Sequence, residues 1–150
     1  MSLTEKINED LKKAMLAREK EKLEALRAIK SALLLLTTSE AGVKVTEQDE
    51  IKMLQKLVKQ RRESAAVYHE QNRADLATVE EQQAEVIAAY LPAQMSREDL
   101  VKVVKSIVDQ TAATGIKDMG KVMAAASEQL AGKTDNKTLA GIIKEILGTV

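Results

Sequence analysis

Apolar residues recur at intervals of three and four along nearly all of this 150-residue chain, and no segment sustains an apolar–polar alternation. That repeat fits the 3.6-residue turn of an α-helix and leaves a β-strand without a face to bury. The chain is therefore expected to be all-α. Phenylalanine, tryptophan and cysteine are absent, and the only aromatic residues are Tyr68 and Tyr90. The core must be assembled from Leu, Ile, Val, Met and Ala, the usual filling of packed helices.

Capping residues divide the pattern. Ser2 with Glu5 reads as a capping box opening a first helix whose inward stripe is Ile7, Leu11, Ala14 and Met15. A second helix is expected over about 20–38, with Leu23, Leu26, Ile29, Leu33 and Leu36 inward. Its leucine run is wider than one stripe, which implies contact from more than one side. Ala41-Gly42-Val43 interrupts the pattern, and Thr46, followed by Glu47 and Asp49, caps a third helix reaching about Gln71. After a weak break at Asn72, a fourth helix carries Leu76, Val79, Val86, Ile87 and Tyr90 and ends against Pro92, the only proline.

Beyond Pro92 the helices are shorter. Ser96, Asp118 and Asp135 are expected to cap them, with Gly115 and Gly132 ending the first two. Leu100, Val104, Ile107 and Val108 line the first; Met119, Val122, Met123, Ala126 and Leu130 the second; Leu139, Ile142, Ile143, Ile146 and Leu147 the third. Two units follow from this: residues 1–92 with four longer helices, and residues 93–150 as a three-helix bundle. Gly120 lies at the edge of its stripe, where a helical glycine costs about 0.8–1 kcal/mol relative to alanine. Either another backbone comes close there, or the helix start frays.

Charge gives no global direction. Lys plus Arg equals Asp plus Glu, 23 against 23. The balance before residue 93 is 15 basic to 16 acidic, and after it 8 to 7. Attraction to a polyanion must come from local patches. The N-terminal residues lack a signal-peptide core, and Leu33–Leu36 falls far short of the roughly 20 apolar residues of a membrane span. A cytoplasmic protein without membrane contact is expected.

The third helix holds the strongest anomaly: Arg61 falls within the apolar face formed by Leu54, Leu57, Val58, Ala65 and Tyr68. An unpaired buried cation is costly. It needs an internal carboxylate such as Glu81 or Glu85, a snorkelling stem, or an outside anion such as a phosphate. Lys52, Lys56 and Lys59 share the opposite face, near Arg62, where a merely solvated role is the simpler reading. No metal and no cofactor are expected, because Glu81 and Glu85 lack the paired Glu-x-x-His elements of a di-iron bundle. His69, the single histidine, sits at the margin of its helix's apolar face and gives no nucleophilic team. Gly132-Lys133-Thr134 lacks the earlier glycine and preceding strand of a phosphate-binding loop, and reads as a helix end followed by a new cap. Two tyrosines make no base-stacking platform, so RNA would be held through phosphates.

Arg61-Arg62-Glu63-Ser64, then Tyr68, Arg73-Ala74-Asp75-Leu76-Ala77, Glu85 and Tyr90-Leu91-Pro92, resemble the central signature of the GatB/Yqey family. Asp118-Met119-Gly120-Lys121-Val122-Met123, with Gly132-Lys133 and Asp135, resembles its C-terminal signature, and Leu26-Arg27 with Ile29-Lys30-Ser31-Ala32 its first block. The likeness runs from about residue 3 to 147. It implies a helical N-terminal unit and a C-terminal unit similar to the tail of the B subunit of tRNA-dependent amidotransferase, which engages tRNA. It also brings an inherited label, carbon–nitrogen ligase with glutamine as amido donor, whose machinery belongs to other domains of that enzyme. Gly141 stands where the family usually has asparagine, and Glu19 where an aspartate cap is usual.

These readings combine into a non-catalytic accessory protein that associates with tRNA or other structured RNA. Its candidate contacts are Arg61, Arg62, Arg73, Lys121, Lys133 and Lys137. Tyr68, Glu85, Pro92, Gly120 and Gly132 are the signature residues assigned to structure. The alternative is a helical module that binds another protein, through its leucine-rich second helix or otherwise, without RNA.

Overall fold

The computed structural model describes residues 1–39 and 44–149; the interruption read at Ala41-Gly42-Val43 lies outside them. Among the described residues there are seven α-helices and no strand: α1 (Leu3–Ala17), α2 (Lys20–Thr38), α3 (Glu47–Glu70), α4 (Ala74–Ala88), α5 (Arg97–Thr111), α6 (Met119–Gln129) and α7 (Asn136–Leu147). A 3₁₀ turn, Ile116–Asp118, precedes α6. The fold is all-α. Contacts divide it into two compact units, Met1–Leu91 and a second beginning at Pro92.

The first unit holds α1 to α4. The Ser2–Glu5 capping box opens α1, and the Thr46–Asp49 box opens α3 with an aspartate in the reciprocal position. The break between α1 and α2 is made by Arg18, held left-handed at φ 57° with its N–H on the carbonyls of Ala14 and Met15. Glu19 makes no side-chain cap bond. Asn72, at φ 59°, turns the chain from α3 into α4, a conformation asparagine tolerates better than most residues.

The core of this unit gathers Ile7, Ala14, Leu26, Ile29, Leu33, Leu54, Val58, Ala84 and Ile87. One expectation is corrected, and two helix faces are defined more closely. Met15 is 59% exposed, because it sits about 80° around α1 from Ile7, off the line facing α2. Leu34 and Leu35 are also exposed: α2 does pack on α1, α3 and α4, but these leucines fall about 100° and 200° past Leu33. On α4 the fully buried line is Ala77, Ala84 and Ile87, while Leu76, Val79 and Val86 are only partly covered. Ala65 of α3 is buried as well.

In the second unit α5, α6 and α7 pack around Leu100, Val104, Ile107, Val108, Val122, Ala126, Leu130, Leu139, Ile142, Ile143 and Leu147. Ser96 caps α5 through the Asp99 N–H, and Asp135 caps α7 through the Thr138 N–H. Gly115 does not end α5. The helix stops at Thr111 with Ala112 at φ 54°, and the Ala113 N–H returns to Val108 O, which carries the Ala113 methyl into the core. Asp118 does not cap α6 either. Its carboxylate turns back to the Thr114 N–H at 2.9 Å and the Thr114 hydroxyl at 3.3 Å, closing the loop before the 3₁₀ turn.

Among the described residues no helix is long and apolar enough to cross a membrane.

Candidate nucleic-acid interface

Arg61 lies on α3 between buried Val58 and Ala65 and is itself half-buried. Its Nε–H donates to Oε1 of Gln83 on α4 at 3.1 Å, and Nη1 donates to the Leu57 carbonyl at 3.3 Å. Neither acceptor carries a charge. The carboxylate partners expected from the sequence are not there: Oε1 of Glu81 meets Nε2 of His69 at 2.6 Å, and Glu85 is exposed without an ion pair among the described residues. Gln83 is held at its other end, where Nε2 donates to Oε2 of Glu24 on α2 at 3.2 Å. Three helices are thus joined by one polar chain, Arg61–Gln83–Glu24.

Arg62 is exposed and forms no ion pair among the described residues. Arg73 is differently placed, since its guanidinium grips Asp75 through both carboxylate oxygens, at 3.2 and 3.1 Å. That bond raises the Arg73 pKa and lowers that of Asp75. An RNA phosphate at Arg73 would have to compete with Asp75. On the far side of α3, Lys52 and Lys56 are exposed, and Lys59 reaches Glu63 at 4.0 Å.

In the second unit Lys121, Lys133 and Lys137 are all exposed and make no ion pair among the described residues. They are not grouped at one point. Lys133 and Lys137 flank the Asp135 cap of α7, whereas Lys121 is in the first turn of α6, separated from the α6 end by about 12 Å of helix. The turn carrying Lys133 is fastened to the chain after Pro92. Nε2 of Gln94 donates to the Gly132 carbonyl at 2.7 Å, and the Met95 N–H to that of Lys133 at 3.0 Å. Of the two helix starts near these lysines, Asp135 blocks one with its own carboxylate, while Asp118 turns away from the other.

The profile of Yqey-like proteins matches residues 4–147. The chain belongs to the Yqey-like family. It is also similar to the curated protein "Altered inheritance of mitochondria protein 41, mitochondrial" of Clavispora lusitaniae, 36% identical over 90 residues, covering 60% of this chain and 52% of that one. The protein of the same name from Vanderwaltozyma polyspora is 36% identical over 88 residues, covering 57% and 46%. The matched part spans about half the length of these curated relatives.

The Yqey-like signature residues have distinct surroundings. Tyr68 is half-buried and lines a shallow groove of about 530 Å³ with Gln60, Glu63, Ser64 and Val67, all on α3. Gly132 takes φ 78° in the turn after α6, a conformation natural to glycine. Pro92 lies at the junction of the units, and Tyr90 just before it donates to Oδ2 of Asp10 on α1. Gly120 departs from the close-approach reading: an added Cβ would meet nothing within 4 Å, and the residue is exposed. Gly141 is likewise in open space. Sequence reasoning missed Gln83, Glu24 and Asp10. Glu24 is an ordinary polar residue on an exposed face, whereas Gln83 interrupts the Leu76–Val79–Val86 stripe of α4, a signal the sequence carried; only the packing of α2, α3 and α4 links it to both Arg61 and Glu24.

Proposed function

We propose that this Yqey-like protein is a non-catalytic accessory factor that associates with tRNA or other structured RNA through phosphate contacts. One observation carries the reading: Arg62, Lys121, Lys133 and Lys137 are exposed and form no ion pair among the described residues. The resemblance of the C-terminal unit to the tRNA-engaging tail of the amidotransferase B subunit supplies the choice of RNA. Binding through such cations is roughly micromolar or weaker and falls steeply with salt. Titrating fluorescent tRNA at several salt concentrations tests it, with a synthetic polyanion as control. Equal affinity for both polymers defeats specific association. Purified protein is expected to show no glutaminase turnover. The proposed place of action is the cytoplasm; the two fungal relatives bear mitochondrial names, and fractionation of a tagged chain decides the compartment.

A second reading, a protein-binding module, is favoured by the exposure of Leu34 and Leu35 at 64% and 69%. It predicts a partner that survives nuclease treatment and is lost in a Leu34→Lys, Leu35→Lys variant.

A further inference from the structure

From the surroundings of Arg61 we infer that its guanidinium, where α3 packs on α4, is a receptor for a single phosphate group. The argument begins with charge. A half-buried guanidinium has surrendered part of its hydration, and the usual compensation is a carboxylate. Here both of its hydrogen-bond acceptors are neutral, the Gln83 amide and the Leu57 carbonyl. Carboxylates are not scarce nearby. Glu81 and Glu85 both belong to α4, but at about 200° from Gln83 in either direction they lie off the line that faces Arg61. Glu81 is occupied by His69 and Glu63 by Lys59. The position that does face Arg61 carries an amide, so the cation is oriented but not neutralised.

Orientation is the second element. Because Nε2 of Gln83 donates to Glu24, its carbonyl oxygen is turned to Arg61. That carbonyl and the Leu57 carbonyl hold the guanidinium at two different edges, through Nε and Nη1. A guanidinium has five N–H donors, so three remain, one on Nη1 and both on Nη2. Such a fork, held in place before the ligand arrives, matches two oxygens of a phosphate. Phosphate is favoured over carboxylate because its greater negative charge is attracted more strongly to a cation that no carboxylate touches directly. A free phosphate ester and an RNA backbone present the same group, and the recognition is the same.

The test uses the full chain labelled with ¹⁵N. The Arg61 Nε–H resonance is assigned with Arg61→Lys and followed during titration with inorganic phosphate at constant ionic strength set by chloride. A saturating shift is expected in the wild type. In the double variant Glu24→Gln, Gln83→Glu, a carboxylate supplied from α4 occupies the guanidinium, and phosphate affinity should fall at least tenfold while the melting temperature is kept or raised. Adenosine monophosphate and tRNA then serve as separate probes: a shift with the first identifies a free ester as sufficient, and a shift with tRNA alone assigns the phosphate to the polymer. No saturating change with phosphate, adenosine monophosphate or tRNA overturns the inference. So does an equal response in the double variant, or acetate binding as well as phosphate. Failure of tRNA binding at the exposed lysines leaves the phosphate response intact, so the two ideas fail separately.

Discussion

The Tyr90 hydroxyl donates a hydrogen bond to Oδ2 of Asp10, joining the turn after α4 to the middle of α1 across 80 residues of sequence. Burial, then the hydrogen bond and charge of Asp10, push the phenol's ionisation above its ordinary value near 10. The folded state therefore holds this proton more tightly than the unfolded chain does. The resulting stability is complete below about pH 10 and declines as pH rises beyond it. Tyr90→Phe should cost about 1 kcal/mol at neutral pH, the low side for a bond to a charged acceptor because the group is partly solvated. Urea unfolding of both proteins across the alkaline range should show the gap narrowing.

Arg61→Ala should destabilise by about 1–2 kcal/mol, the sum of neutral hydrogen bonds and stem packing. The roughly 3–5 kcal/mol that accompanies breaking a buried ion pair is not expected, since no carboxylate is left behind. Chemical denaturation measures the difference; the larger value would show that Arg61 has a charged partner.

Gly120→Ala and Gly141→Ala should each leave stability unchanged or raise it by up to about 1 kcal/mol. The new methyl meets nothing within 4 Å, and alanine restricts the unfolded chain. Thermal melts check this. A lower melting temperature would reveal a steric conflict at that point.

The two aspartates of the second unit should behave differently. Asp135→Ala removes a helix cap worth about 1 kcal/mol, with α7 fraying first by hydrogen exchange. Asp118 has its pKa lowered, chiefly by the Thr114 N–H. Its contribution is present above the ordinary carboxylate range and is lost as pH falls through the folded value. Asp118→Asn should therefore weaken the acid dependence of unfolding, measured as proton uptake below about pH 4.

If RNA is the partner, Lys121→Ala, Lys133→Ala and Lys137→Ala should each weaken tRNA binding. Each should also reduce the salt slope by about one for every phosphate left without its lysine. Arg73→Ala should change it less, because Asp75 already holds that guanidinium. Equal slopes in all variants would remove these lysines from the interface.

What could be read from the chain follows a physical boundary. The caps at Ser2, Thr46, Ser96 and Asp135, and the extent of α2, were legible because a cap reaches its N–H within three residues and a helical stripe repeats every 3.6. Asp118 shows where that logic stops: its carboxylate can serve the helix ahead or the loop behind, and the sequence does not choose between them. Ala112 shows another limit, since an alanine in the left-handed region is accepted for the sake of placing Ala113 in the core.

By itself the sequence determined an aliphatic, all-α protein with Pro92 at the division of its helices, because propensity, capping and periodicity act over a few residues. Only the tertiary structure decided that Arg61 meets Gln83 rather than Glu81 or Glu85, that alanines line the buried face of α4, and that Leu34 and Leu35 remain uncovered. Those outcomes depend on the rotation of one helix against another. Glu81 and Glu85 stand only two residues to either side of Gln83, about 200° around the helix, so the rotation of α4 decides whether Arg61 meets a neutral partner or a charged one.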